Sequence, residues 1–144
     1  MDETLTNDTE VLFESWMLKL RGVDNKKKFG ATISWKRRYV IVKRQESTPL
    51  LCYYEKKPSS IRDKPSELVC LQPQFWVVKR RNVRNKEHVC QLITESRRLI
   101  FAAEDEKILH LFVFFLRTQC RLREELEAKQ VSDSPVAFQL HPHL

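Results

Sequence analysis

Two pairs of cations sit at a spacing that could hold an anion. Lys36 and Arg38 are two apart in Trp35-Lys-Arg-Arg-Tyr-Val-Ile-Val-Lys43, and Lys19 and Arg21 are two apart in Trp16-Met-Leu-Lys-Leu-Arg21. On an extended chain, residues two apart project from one face, so each pair presents its charges side by side. Convergent cations suit a multiply charged anion, and arginine adds a planar fork of donors that matches phosphate oxygens. Arg80, Arg81, Arg84 and Lys86 make a second basic run, which the tip of a hairpin would ordinarily leave solvated.

Other chemistries find little footing. With only 2 glycines, Gly22 and Gly30, glycine-rich phosphate cradles and dinucleotide fingerprints are excluded. Cys52, Cys70, Cys90 and Cys120 are far apart and contain no CxxC pair, so the expectation is free thiols in the cytosol and no zinc. His88, His110, His141 and His143 form no constellation, and His141-Pro-His143 is best read as a chance pair in a tail. No nucleophile–base arrangement or carboxylate pair stands out, so catalysis, cofactor and metal are all expected to be absent.

The charge is polarised along the chain. Residues 1–14 contribute −5, residues 15–103 contribute +14 and residues 104–144 contribute −2, for a net +7. A basic body with acidic ends suits a phospholipid surface or a nucleic acid. The longest apolar stretch, Ile108 to Leu116, contains His110 and is too short to span a bilayer. The polar, acidic N-terminus lacks the pattern of a signal peptide.

Hydrophobic patterning supplies the elements that must place these groups. Residues 1–12 read as a flexible acidic leader, 13–130 as one domain, and 131–144 as a tail or the start of a following domain. Trp16, Leu18 and Leu20 alternate with Met17, Lys19 and Arg21, which predicts a half-buried strand. Further strands are predicted at 35–43, 50–54, 67–71, 75–79, 88–94 and 97–102, separated by polar, basic or proline-containing turns. From Glu104 the period changes to that of a helix: Ile108, Leu111, Phe112, Phe115, Gln119 and Leu122 form the expected buried stripe. Leu109, Val113, Phe114 and Leu116 widen that stripe and predict a second contact surface, for a partner domain or a second copy of the chain. Seven antiparallel strands followed by one long terminal helix predict a mainly β barrel of two packed sheets with the helix as its cap.

Trp16-Met-Leu-Lys-Leu-Arg-Gly22, Trp35-Lys-Arg-Arg-Tyr-Val-Ile-Val42 and Leu51-Cys-Tyr-Tyr-Glu-Lys56 resemble the first three strands of pleckstrin homology (PH) domains. The resemblance runs from Phe13 to Leu126, and the second strand carries it most specifically. It departs in the terminal helix, which lacks the family's tryptophan; Leu111 or Phe112 must fill that place. A weaker resemblance links the chain to the N-terminal PH domain of downstream-of-kinase and insulin-receptor-substrate adaptors, where a phosphotyrosine-binding domain follows.

The resemblance implies that Lys19, Lys36 and Arg38 grip an inositol phosphate at the open end of the barrel. Arg21 shares the face of Lys19 by its spacing, and Lys26, Lys27 and Lys28 would crown the site from the first loop. The resemblance adds a hydroxyl contact from Tyr53 and closure of the ring by Arg97 or Arg98. The implied function is a non-catalytic membrane-targeting module of a signalling adaptor, cytoplasmic and peripheral on the inner face of the plasma membrane. Its expected partners are phosphoinositides or other acidic lipids, and a protein or an adjacent phosphotyrosine-binding domain. The alternatives are a protein-interaction or homodimer module acting through the helix, and a nucleic-acid-binding barrel using Trp16, Trp35 and Trp76. The latter is disfavoured, because two of these tryptophans read as core or core-edge.

Overall fold

A computed structural model describes residues 8–21, 33–60, 62–71, 75–95 and 97–132, with side chains as far as Gln119. Seven strands and a helix follow in chain order: β1 (Thr9–Arg21), β2 (Ser34–Gln45), β3 (Thr48–Tyr54), β4 (Glu67–Cys70), β5 (Trp76–Arg80), β6 (Val89–Ile93), β7 (Arg98–Ala102) and α1 (Glu106–Ser132). The expected leader therefore gives way to strand at Thr9, because Thr9, Glu10 and Val11 already pair with Gln45, Arg44 and Lys43. An ion pair at 2.6 Å between Glu10 and Arg44 ties the same end.

Hydrogen bonding joins all seven strands into one antiparallel sheet of order β4-β3-β2-β1-β7-β6-β5. The expected two sheets are thus halves of a single one, because β1 is long enough to serve both. It pairs with β2 along its length and with β7 through Leu18 and Lys19. An irregularity between Val11 and Phe13 shifts its register, the kind of interruption that bends a strand. The halves fold face to face, and Tyr53 of β3 meets Phe101 of β7 with ring centroids 5.9 Å apart. Between β2 and β3, Glu46 and Ser47 both take positive φ, 52° and 70°, the two-residue hairpin turn whose twist matches that of the strands.

Strand alternation divides the side chains cleanly. Phe13, Met17, Val40, Val42, Leu51, Val69, Val77, Cys90, Leu92, Leu99 and Phe101 build the enclosed core. The intervening residues Tyr39, Ile41, Leu50, Cys52 and Tyr54, with Trp16 against them, form a second apolar cluster on the outer face. On β1 it is therefore Met17 and Lys19 that face inward, with Trp16 on the other side. The alternation holds, but both faces are apolar enough that the pattern alone could not say which one is enclosed.

The helix shows the same ambiguity. Asp105 caps it by accepting a hydrogen bond from the Ile108 amide at 2.9 Å, a contact generally worth about 1 kcal/mol. Leu109, Phe112, Val113 and Leu116 then point into the core, at the i, i+3, i+4, i+7 spacing of a packed helix face. Phe112 packs against Phe13 and Phe101 with centroids 5.2 and 5.5 Å away, and so fills the place expected of Leu111 or Phe112. Leu111 is 40 % exposed and Phe114 48 %. The buried stripe is rotated from the expected one because almost every residue from Ile108 to Leu116 is apolar, so period fixes the helix but not its phase.

Candidate functional site

The enclosed face of the sheet changes character along its length. On β1 it runs from Phe13 and Met17 to Lys19 and Arg21; on β2, from Val42 and Val40 to Arg38 and Lys36. On β3 it passes from Leu51 to Tyr53, followed by Glu55, and on β4 from Val69 to Glu67. The register sets Met17 opposite Arg38, Lys19 opposite Lys36 and Tyr53 opposite Glu67. Strand parity thus delivers every one of these groups to the same end of the barrel. Lys19, Arg21, Lys36, Arg38, Tyr53, Glu55, Ser66 and Glu67 line a cavity of about 310 Å³ there.

Several contacts order this mouth. Lys19 is only 8 % exposed, and its Nζ lies 5.5 Å from the centre of the Tyr53 ring. Tyr53 donates its hydroxyl hydrogen to Glu67 Oε1 at 3.3 Å. Arg97 Nη1 donates to Glu67 Oε2 at 3.0 Å. Arg38 Nη1 donates to the Arg37 carbonyl at 2.8 Å. Two lysines set directly opposite each other on a sheet repel, and here one of them is also nearly buried. Together with Arg21 and Arg38 they concentrate positive charge at the mouth.

Five expected site residues, Lys19, Arg21, Lys36, Arg38 and Tyr53, therefore come together, and Arg97 joins them through Glu67. Arg98 does not: it is exposed and follows the opposite parity to the inward Leu99 and Phe101. Lys26, Lys27 and Lys28 lie outside the described residues, as does the His141–His143 pair. The sequence reading missed Glu67 as a mouth residue. Its signal was present in the alternation Glu67-Leu-Val-Cys-Leu71, whose Val69 and Leu71 are buried.

The expected helix surface needs correction. Leu109, Val113 and Leu116 are core residues and cannot form a docking face in this fold. Among the described residues, the large apolar side chains that the helix exposes are Leu111 and Phe114, the latter with its ring 5.2 Å from that of Phe115. The second basic run is built into a hairpin with Asn82, Arg84 and Asn85 at positive φ. Trp35 Nε1 donates to the Arg84 carbonyl at 3.1 Å and so fastens that hairpin to β2. Beside it a second cavity of about 500 Å³ combines Arg37, Lys86 and His88 with Glu87 and Glu104, a mixed lining with no single-sign field. Arg37 lies over Trp16 at 3.9 Å, and Trp16 meets Tyr39 edge-on at 5.2 Å. Two of the three tryptophans are thus engaged within the fold rather than presented to bases.

The thiols of Cys52, Cys70 and Cys90 are free, and burial pushes Cys90 up to about 12. Among the described residues no cluster of three or more histidine, cysteine or acidic side chains could hold a metal ion. No helix among them is long and apolar enough to cross a membrane.

The family model of the PH domain matches residues 11–121. Among solved structures the chain is similar to the C-terminal PH domain of pleckstrin, with 19% identity and a TM-score of 0.56 over 77% of this chain and 97% of that one. It is similar to the PH domain of human pleckstrin homology domain-containing protein family A member 5, with 14% identity and a TM-score of 0.54 over 78% and 79%. The PH domain of human TBC1 domain family member 2 aligns at 15% identity and a TM-score of 0.54 over 92% and 89%. No curated protein matches the chain by sequence.

Proposed function

Since the chain belongs to the PH domain family, whose members are non-catalytic modules of signalling and of membrane or protein interaction, we propose that it binds phosphoinositide headgroups at the mouth formed by Lys19, Arg21, Lys36 and Arg38. The observation that carries this reading is the convergence of Lys19, Arg21, Lys36 and Arg38 on one cavity at the open end of the barrel. A phosphate bound there would accept charge-assisted hydrogen bonds from these side chains. The basic body adds a general attraction of about 1 kcal/mol per lysine or arginine near an anionic surface. In this reading the module works in the cytoplasm and sits peripherally on the inner face of the plasma membrane, within a signalling adaptor.

Sedimentation with liposomes tests the proposal. Vesicles of phosphatidylcholine alone, with phosphatidylserine, and with each phosphoinositide are compared at about 150 mM salt, where the Debye length is about 8 Å. The expected result is binding to phosphoinositide vesicles above the phosphatidylserine level, lost in Lys36→Ala/Arg38→Ala. Failure to bind any acidic vesicle, or equal binding by the double variant, overturns it.

A second reading has its own observation. Leu111 and Phe114 on α1, and Trp76 and Val78 on β5, are exposed apolar residues and favour an additional protein contact. Light scattering that gives a monomer at all concentrations removes a second copy of the chain as that contact.

A further inference from the structure

The mouth is not uniformly basic. Its cations, Lys19, Arg21, Lys36 and Arg38, stand on β1 and β2, whereas its carboxylates, Glu55 and Glu67, stand just beyond β3 and on β4. Glu67 is the better fixed of the two, because Tyr53 donates to one oxygen and Arg97 to the other. Its side chain is still 41 % exposed, so it faces the same solvent-filled space as the cations.

This places a fixed carboxylate across the cavity from the cations, where a second or third phosphate of a ligand would come to lie. A phosphate there meets like charge, and Arg97, which would otherwise attract it, already serves Glu67. A hydroxyl there is welcome, since a carboxylate has spare lone pairs and accepts from an alcohol. Discrimination of this kind comes from a built-in penalty against the wrong ligand rather than from added affinity for the right one.

We propose that Glu67 is a specificity-determining residue of the mouth: it reserves the β4 wall for a hydroxyl, so that the site prefers an inositol headgroup with phosphates on one side over a more fully phosphorylated one. This rests on the headgroup reading above and deepens it.

Isothermal titration of the full chain with soluble inositol bisphosphate and inositol tetrakisphosphate reads the selectivity as a ratio of affinities. In Glu67→Gln the ratio moves toward the tetrakisphosphate by about fivefold, the scale of one extra charge pair some 5 Å apart in a watery site. Glu67→Asp, which keeps the charge on a shorter arm, retains the wild-type ratio. An unchanged ratio in Glu67→Gln overturns the proposal, and so does an equal shift in Glu67→Asp, which would point to packing rather than charge. Sedimentation with vesicles carrying mono- and trisphosphorylated inositol lipids separates a membrane headgroup from a free inositol phosphate. A titration shift matched on vesicles identifies a membrane headgroup and one without a vesicle shift identifies a free inositol phosphate; both uphold the role of Glu67. Lys36→Ala/Arg38→Ala keeps the two ideas apart. If that variant binds like the wild type, the headgroup reading itself fails. If it loses binding while the Glu67→Gln ratio stays put, only the role of Glu67 fails.

Discussion

Replacing Arg37 and Arg38 by alanine, one at a time, removes identical charges one residue apart on β2, and the two losses should differ by about an order of magnitude. Arg38 lines the mouth, with its neighbour on β1 the buried Met17. A hydrogen bond from a charged group contributes about 1.5–3 kcal/mol, and a tenfold change in affinity is about 1.4 kcal/mol. Arg38→Ala should therefore weaken soluble inositol bisphosphate between about tenfold and a hundredfold. Arg37 lies on the outer face with its guanidinium 3.9 Å from the Trp16 ring, and it reaches the ligand only through a screened field. At 150 mM salt its loss should cost less than about threefold. It should register instead as roughly 0.5–1 kcal/mol of stability from the lost cation–π contact, together with a change in tryptophan emission. Titration calorimetry measures the affinities and urea unfolding measures the stabilities. Because a slip of one residue reverses every side chain on a strand, equal weakening by the two variants would refute the register and the placement of the site on the enclosed face.

Two further outcomes test the fold around the site. Phe112→Ala should lose about 3–5 kcal/mol in urea unfolding, as expected for an enclosed aromatic, and Phe114→Ala less than about 0.5 kcal/mol, as expected at the surface; equal losses would show that the helix phase is wrong. Tyr39 donates its hydroxyl hydrogen to Glu14 Oε1 at 2.7 Å, and burial first, then that hydrogen bond and the charge of Glu14, hold the phenol up at about 12 against its ordinary 10. Its contribution to stability is thus complete below pH 10 and is lost as the pH rises through 12. Absorbance titration of Glu14→Gln should show the Tyr39 step at lower pH yet still above 10, because burial remains; an unchanged step would mean that Glu14 plays no part.

The strands were legible because turn residues and β-branched runs mark them without reference to what they pack against. Lys36 and Arg38 were legible as a pair for the same local reason: two residues apart on a strand means one face. What parity could not supply was the identity of that face. Tyr39, Ile41, Leu50, Cys52 and Tyr54 make the outer side of β2 and β3 nearly as apolar as the inner side, so the hydrophobic pattern that normally orients a strand was almost balanced. The helix failed in the same way. Leu109 and Val113 are buried while Leu111 and Phe114 are not, and a run that is apolar but for His110 does little to set such a rotation. It is fixed by what the barrel offers, chiefly the rings of Phe13 and Phe101 around Phe112.

Glu67 was not legible for a different reason. A cluster of one sign of charge shows itself along the sequence, whereas a lone carboxylate on another strand does not. Yet Glu67 stands in the same parity series as the buried Val69, just as Lys19 does with Met17 and Arg38 with Val40. Once the enclosed face is known, each of its strands can be followed outward from the last apolar residue to the first charged one. On β1 and β2 that residue is basic; on β4 it is Glu67. The balance of charge at the mouth is therefore set by where each strand's apolar run ends, and under the proposed headgroup reading a single substitution at such an end should alter ligand preference while leaving the core beneath it in place.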